Sequence, residues 1–341
     1  MVTQTPRSFV THQHRLLHSG VYTVVPVVGY RLLDLPFHVH RLHESFAVLE
    51  AQQGRCGDGV DLASVTSDFV AMLGGLAEER ARDGARGADA LLTVCYGRPV
   101  DPDNDSAAPM RSFWYATMGS PFTSVGDGLT VDLQPYERRT DPRVKPCSWP
   151  AERAPLEAMR TRHGGAETLI FKADNGGKRA LVTEGLTSNL FVLDAGGGLV
   201  TAPEGAALSG SMARCVIATA HALGIPVERR CPDVVVTGDN PSALRVPWRA
   251  AFATSATKAL VPVTAVCNDP SWAPDAADSP VYVALRGGLD ALLHPGRLDG
   301  AAAAALGRVI PYPLWSPPLT APGFLPEVEA LLRDARPHVL I

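Results

Sequence analysis

The chain has 341 residues, of which 46% are hydrophobic and 19% are charged, and its net charge at pH 7 is −4. This apolar fraction excludes a mostly disordered protein, and the small negative charge provides no basic field of the kind that binds nucleic acid or anionic membranes. No apolar run reaches the ~18 residues of a membrane span, and the first residues contain no apolar core of a secretory signal. We therefore expect a cytoplasmic, globular protein of two domains that binds neither nucleic acid nor membrane.

The first part of the chain predicts alternating strands and helices. A β-branched run over 21–28 predicts a strand that ends at Gly29. Apolar residues at helical spacing predict one helix over 36–49 and a second over 66–81, followed by a strand over 90–96.

A polar, proline-rich segment over 137–155 then marks the expected domain boundary. We expect a smaller N-terminal α+β domain over residues 1–140 and a larger C-terminal domain over 141–341, in an α/β (α+β two-domain) fold. In the second domain the pattern predicts helices over 154–163 and 209–223, a turn over 172–179, and strands over 167–171, 180–183, 189–193, 199–202, 234–236 and 251–255. The alanine run 301–305 suggests a further helix.

Lysine is rare in this sequence, which makes each lysine worth considering. Of the 31 basic residues only four are lysines, namely Lys145, Lys172, Lys178 and Lys258. A guanidinium stays charged in proteins, so arginine cannot replace an amine that must lose its proton. Each lysine is therefore a candidate for chemistry, and the alternative for each is a solvated surface charge. The six cysteines are widely spaced, which indicates reduced thiols rather than disulfides or a metal site.

A glycine at the start of a predicted helix suggests an anion-binding site. Gly210 precedes the helix that begins near Ser211, and the free amides at a helix N-terminus favour a phosphate. Alone, this signal is weak, because many helices start after glycine. The surrounding residues add a pattern: Glu184-Gly185 and Ser188-Asn189 before one strand, then Thr201-Ala202-Pro203, then Leu208 and Gly210.

This ordered pattern resembles the fold-type IV pyridoxal-phosphate enzymes, the class IV aminotransferase family. That family includes branched-chain and D-amino acid aminotransferases and aminodeoxychorismate lyase. Lys145 precedes Glu184 by the spacing that the family has for its cofactor-bearing lysine. The early segment 38–45 matches the family's His-x-x-Arg-Leu-x-x-Ser motif, and Gly20-Val21-Tyr22 matches the opening of its first strand. The resemblance implies a D-amino acid aminotransferase-like fold and the cofactor pyridoxal 5′-phosphate.

The resemblance also implies a role for each matched residue. Lys145 forms the internal aldimine and moves the substrate proton, and Glu184 holds the ring nitrogen in its protonated form. Arg41 and the amides of Ser211 and Met212 bind the phosphate. The remaining expected cofactor-binding residues are Ser188, Asn189, Leu199, Gly210, Ser255, Ala256 and Thr257, and the expected substrate-binding residues are Tyr22 and Lys258.

The chain departs from the family pattern in the segment 252–257. Ala256 stands where the family has a threonine that touches the phosphate, so the hydroxyl comes from either Ser255 or Thr257. A tyrosine that members carry soon after the lysine is replaced here by the segment 146–149. The carboxylate-binding arginine and histidine of D-amino acid aminotransferases have no clear match around 96–98.

The resemblance implies an aminotransferase that moves an amino group between an amino acid and a 2-oxo acid. The resemblance further implies a homodimer. Two alternatives stay open: a pyridoxal-phosphate lyase of the aminodeoxychorismate type, and a catalytically silent relative that acts as a binding module. His40 and His43 lie close together on a predicted helix, but no further ligand completes a metal site, so we expect no metal.

Overall fold

A computed structural model shows two compact units. It describes residues 17–54, 61–83, 89–101, 104–107, 112–118, 121–122, 128–136, 141–173, 178–194, 196–237, 244–272, 274, 279–294, 310 and 312–335. The first unit takes its described residues from Met1–Pro121, Val144–Pro150 and Ile310–Leu340, and the second takes them from Phe122–Arg143 and Ala151–Val309. This division differs from the predicted single boundary at residue 140, because each unit is built from segments that are separate in the sequence.

Six helices and fifteen strands are present in the described residues. The helices are α1 (Leu35–Gln52), α2 (Leu62–Asp83), α3 (Trp149–Arg162), α4 (Ser211–Ala222), α5 (Pro280–Leu293) and α6 (Phe324–Asp334). The strands are β1 (Leu17–Val28), β2 (Arg31–Leu32), β3 (Ala90–Asp101), β4 (Asn104–Ala107), β5 (Ser112–Met118), β6 (Leu129–Pro135), β7 (Glu167–Ala173), β8 (Arg179–Gly185), β9 (Asn189–Leu193), β10 (Leu199–Thr201), β11 (Val227–Arg229), β12 (Asp233–Val236), β13 (Leu244–Arg245), β14 (Ala250–Ser255) and β15 (Ala259–Val266). None of the described helices has the length and apolar character needed to cross a bilayer.

The first unit is a five-stranded sheet covered by helices. Its strands run in the order β2-β1-β3-β4, and β5 also pairs with β3. The β-branched run in β1 suits this sheet, whose long antiparallel pairing with β3 extends to Val27 opposite Ala90. The core lies between the sheet and helices α1, α2 and α6, where Phe46 and Phe69 are fully buried.

Two later parts of the chain complete this unit. Val144 is fully buried in its core, which explains why the segment Val144–Pro150 groups with it. Near the C-terminus, Trp315 forms a β-bridge with Leu33, and the buried Ser316 binds Leu32. The Leu32 amide donates to Ser316 Oγ at 2.9 Å, and the Ser316 amide donates to the Leu32 carbonyl at 3.0 Å.

The second unit is built on a ten-stranded mixed sheet. The strand order is β11-β10-β9-β14-β15-β6-β7-β8-β12-β13. Three neighbouring pairs, β10 with β11, β15 with β6 and β6 with β7, are parallel, and the others are antiparallel. Its core contains fully buried aliphatic residues such as Leu133, Val182 and Val263.

The structure confirms the α/β class and most predicted elements. Strands β1, β3, β7, β8, β9, β10, β12 and β14 and helices α1 to α4 lie at the predicted places, with ends shifted by a few residues. The elements that were not predicted are strands β2, β4, β5, β6, β11, β13 and β15 and helices α5 and α6. The suggested helix over 301–305 and the tip of the predicted turn, 174–177, lie outside the described residues.

Candidate active site

The backbone of Lys145 is fixed to strand β1 in the first unit. Pro146 forms a β-bridge with Val21, and the Tyr22 amide donates to the Lys145 carbonyl at 2.9 Å. One residue further on, the Cys147 amide donates to the Gly20 carbonyl at 2.9 Å. The segment around Lys145 therefore behaves as a short extra strand along β1, although its two prolines make it look like a loop in the sequence.

The side chain of Lys145 lies over the ring of Tyr22. Its Nζ is 4.9 Å from the ring centroid, within the range of a cation–π contact. Tyr22 is buried and Lys145 is partly buried. The contact places the amine beside an aromatic surface instead of in bulk water.

Arg41 places a buried cation in the same unit. It extends from α1, is only 7% exposed, and donates a hydrogen bond to the Thr23 hydroxyl. The same hydroxyl lies 2.7 Å from Nδ1 of the buried His38. Burial lowers the pKa of Arg41 to about 10, and the charges of Tyr22 and Asp34 act in the opposite direction. The guanidinium therefore keeps its positive charge at neutral pH and can bind an anion.

In the second unit, Glu184 and Asn189 hold the same residue from two sides. Glu184 is the second-last residue of β8 and accepts a hydrogen bond from the Leu208 amide at 3.0 Å. Asn189 begins β9 and donates from Nδ2 to the Leu208 carbonyl at 2.7 Å. Leu208 lies two residues before Gly210, so these two bonds fix the approach to α4.

Gly210 is required at the start of α4. A Cβ at this position would collide with Oδ1 of Asn189. Gly210 is the N-cap residue and provides no side-chain hydrogen bond, so the helix begins at the buried Ser211 and Met212 without a side-chain cap. Amides at such a helix start can bind an anion because the helix dipole is positive there.

The predicted segment 255–258 forms the tight turn between β14 and β15. The Ser255 hydroxyl lies 3.0 Å from the Thr257 hydroxyl, with Ala256 between them. The amine of Lys258, predicted to contact substrate, lies 3.5 Å from a carboxylate oxygen of Glu167. Elsewhere in this unit, Leu199 is fully buried in β10, between Leu193 and Val227 on the neighbouring strands.

The sequence prediction did not include Glu167. This residue begins β7 and is fully buried, and it accepts a hydrogen bond from the predicted site residue Ser188 at 3.0 Å. An acidic residue two positions before the apolar run 169–171 was the available signal, but the same pattern is common for solvated strand ends. Thr23, which accepts the hydrogen bond from Arg41, was also not predicted, and His38 was named only as the first residue of the motif 38–45, with no role of its own.

The histidines of α1 are engaged with neighbouring side chains. His40 Nδ1 lies 3.3 Å from a carboxylate oxygen of Glu44, and the rings of His40 and His43 are 6.0 Å apart. Among the described residues, no group of three or more histidine, cysteine or acidic side chains could hold a metal ion.

The predicted site residues thus form two groups. Tyr22, Arg41 and Lys145 come together in the first unit. In the second unit Glu184, Asn189 and Gly210 are joined through Leu208, and Ser188 and Lys258 are joined through Glu167. Leu199 and the turn 255–257 lie elsewhere on the same sheet, in β10 and after β14.

Known proteins resemble this chain at the level of family and fold. No curated protein matches it, whereas the model of the family described as amino-transferase class IV matches residues 20–266. A fold-type IV transaminase from Curtobacterium pusillum is 22% identical, with 80% of this chain and 84% of that chain covered and a TM-score of 0.59.

Two further solved structures show the same fold. A branched-chain amino acid aminotransferase from Thermobaculum terrenum, in its pyridoxal-phosphate form, is 17% identical over 86% of this chain and 88% of that chain, with a TM-score of 0.56. A protein from Legionella pneumophila described as a 4-amino-4-deoxychorismate lyase is 15% identical over 80% and 90%, with a TM-score of 0.57. The family match spans well over half of the sequence. The chain therefore belongs to the class IV aminotransferase family, whose enzymes use pyridoxal 5′-phosphate.

Proposed function

We propose that this protein is a pyridoxal 5′-phosphate-dependent aminotransferase that moves an amino group between an amino acid and a 2-oxo acid. The observation that carries the proposal is the position of Lys145, whose amine lies 4.9 Å from the Tyr22 ring centroid in the unit that also holds the buried Arg41. The other lysines have different surroundings. Lys172 and Lys178 are exposed, and Lys258 pairs with Glu167.

The residues present fit the cofactor. The proposal assigns the covalent bond to the aldehyde to Lys145, which has a partly buried amine. It assigns the ring nitrogen to the buried carboxylate of Glu184 and the phosphate to the guanidinium of Arg41. The missing Cβ of Gly210 leaves room for the Asn189 side chain at the start of α4, and the proposal assigns further phosphate oxygens to the first amides of that helix. The cofactor, when bound, supplies a ring that accepts the electrons released from the substrate Cα.

The chain's own groups then have distinct tasks. Lys145 Nζ would hold the aldehyde of the cofactor and would take and return the substrate Cα proton. Glu184 keeps the ring nitrogen protonated because a carboxylate stabilises the positive charge there. The Leu208 amide, bound to Glu184, holds that carboxylate in place. In the proposal, Leu199 packs beside the ring, Asn189 and the turn 255–257 support the phosphate end, and Tyr22 lines the substrate side.

The test compares Lys145→Ala with Lys172→Ala in the full-length chain. Bonding of pyridoxal 5′-phosphate to a lysine produces visible absorbance, and we expect it in the wild type and in Lys172→Ala but not in Lys145→Ala. A panel of L- and D-amino acids should then change this absorbance in the first two proteins only. A Lys145→Ala protein that still turns over substrate, or a wild type that shows no visible absorbance, contradicts the proposal.

A lyase is the second candidate, since a solved structure of similar fold is described as a 4-amino-4-deoxychorismate lyase. The two reactions differ in their need for an acceptor. An aminotransferase makes product continuously only when a second 2-oxo acid is supplied, whereas a lyase releases pyruvate without one. Assays with and without an acceptor therefore separate them.

The resemblance also leads us to propose a cytoplasmic homodimer. Sedimentation of the purified chain measures its molecular mass, and a monomer at micromolar concentration contradicts this part of the proposal.

A further inference from the structure

The carboxylate of Glu167 is fully buried and has several partners. Oε1 accepts the Thr168 amide at 3.0 Å, and Oε2 accepts the hydroxyls of Thr187 and Ser188 at 2.5 and 3.0 Å. The Lys258 amine lies 3.5 Å from the same Oε2 atom. A buried carboxylate needs such donors, since burial without them costs several kcal/mol.

These partners belong to two different parts of the second unit. Thr187 and Ser188 form the loop that joins Glu184 at the end of β8 to Asn189 at the start of β9. Lys258 belongs to the turn between β14 and β15, next to Thr257. One carboxylate therefore joins the loop beside Glu184 to the turn predicted at the phosphate.

The loop packs closely against this carboxylate. A Cβ at Gly185 would collide with the Ser188 hydroxyl and would lie 3.3 Å from Cδ of Glu167. Gly185 directly follows Glu184, and its amide donates to the Ser188 carbonyl at 2.7 Å, which ties the loop to the backbone next to Glu184. The side chain of Lys258 is only 16% exposed, so solvent screens its attraction to Glu167 less than it would at the surface.

We propose that Glu167 is a positioning residue: its contacts with Thr187, Ser188 and Lys258 fix the loop next to Glu184 and the turn 255–258 in their cofactor-binding arrangement. The inference rests on the proposed function. It also gives Ser188 and Lys258 a supporting task in place of direct contact with cofactor or substrate.

The test measures binding of pyridoxal 5′-phosphate to Glu167→Gln by its visible absorbance. The amide keeps the size of the side chain but removes the negative charge that Lys258 needs. We expect the dissociation constant to rise by about tenfold, the lower end of the effect that supporting residues have in metal sites. Lys258→Met should weaken binding too, and it should add little when combined with Glu167→Gln, because both remove the same ion pair.

Glu50→Gln is the matched control, since Glu50 is also a buried glutamate paired with a buried cation, Arg98 at 2.6 Å. It should lower the melting temperature while cofactor binding stays at the wild-type value. Wild-type affinity in Glu167→Gln overturns the inference alone. A wild type that binds no cofactor overturns the proposed function and the inference together. If Glu167→Gln does not fold, the affinities of Thr187→Val and Lys258→Met for pyridoxal 5′-phosphate provide the test instead. Wild-type affinity in both variants overturns the inference.

Discussion

At Gly210, the absence of a side chain decides how a helix can begin. The position has an ordinary backbone conformation, with φ −98° and ψ 135°, so the reason for glycine is space and not strain. Asn189, whose amide group holds the Leu208 carbonyl, occupies the volume that a Cβ would need. A substitution must therefore move either Asn189 or the first turn of α4.

We expect Gly210→Ala to lower the free energy of unfolding by about 1–3 kcal/mol, as overpacking does in other proteins. It should also weaken binding of pyridoxal 5′-phosphate, because the first amides of α4 are displaced. Urea denaturation and absorbance titration measure the two effects. Gly287→Ala is the control, since Gly287 lies in the interior of α5 with open space around it. Alanine there should raise the free energy of unfolding by up to about 1 kcal/mol. Equal changes in stability and in cofactor binding for the two variants contradict the steric argument.

Arg41 allows a prediction about which part of the cofactor it binds. Arg41→Gln removes the charge that we assign to the phosphate, whereas pyridoxal, which lacks a phosphate, does not need it. Hydrogen bonds to charged groups contribute about 1.5–3 kcal/mol, so the preference for pyridoxal 5′-phosphate over pyridoxal should fall by roughly 10- to 100-fold. Competition between the two compounds measures this preference.

Arg179→Gln is the control for Arg41, because its side chain is 66% exposed and pairs loosely with Asp233. It should keep the wild-type preference. If Arg41→Gln also keeps that preference, the assignment of Arg41 to the phosphate is wrong.

Sequence spacing could identify Lys145, Arg41 and Glu184 as candidates because each stands in an ordered motif. It could not identify Glu167. That residue has no motif of its own, and its importance comes from three partners that are distant in sequence. The resemblance also predicted a substrate contact for Lys258. Its ion pair with Glu167, a residue 91 positions earlier, leaves no local signal in the sequence.

At the scale of elements, periodicity predicted the regular segments well. Helix α1 buries apolar residues at helical spacing, α4 is buried on all sides over 211–220, and β9 is a short apolar run. Strand β6 was not predicted, although its apolar residues Leu129, Val131 and Leu133 alternate with polar ones in a strand pattern; two of those polar residues are Asp132 and Gln134. Both are buried, and Gln134 Nε2 donates to Asp132 at 2.8 Å, while His163 lies 3.0 Å from the same carboxylate.

Helix α5 also escaped prediction. Gly287 and Gly288 lie in its interior, where each glycine costs about 1 kcal/mol relative to alanine. Packing compensates for this cost. Leu285 and Leu289 are buried, and Gly288 allows close approach to Thr219 of α4, because a Cβ would come within 2.7 Å of the Thr219 methyl group.

The segment after Ile310 provides a prediction about stability. Ser316→Ala removes the acceptor of the buried Leu32 amide, and an unsatisfied buried donor costs about 1–3 kcal/mol. We expect a loss of that size in the free energy of unfolding, measured by urea denaturation. Ser64→Ala is the control, since the Ser64 hydroxyl bonds the exposed Asp61. A loss in Ser316→Ala no larger than in Ser64→Ala contradicts the role of the segment.

At the scale of the whole molecule, composition and motifs predicted two domains but not how the chain divides between them. The polar segment 137–155 looked like a linker, yet Val144 is a core residue of the first unit and Lys145 is bonded to β1. Such long-range pairing follows from tertiary structure, and no local pattern in the segment encodes it.

The first unit is assembled from the beginning, the middle and the end of the chain. A ribosome makes β1, α1 and β3 well before Trp315 and Ser316, which bond Leu33 and Leu32 at the edge of the sheet. Every strand from β6 to β15 is synthesised in between. The nascent chain must therefore keep the edge of an incomplete sheet exposed while the second unit is produced, and newly made protein is most open to aggregation and chaperone binding during that interval.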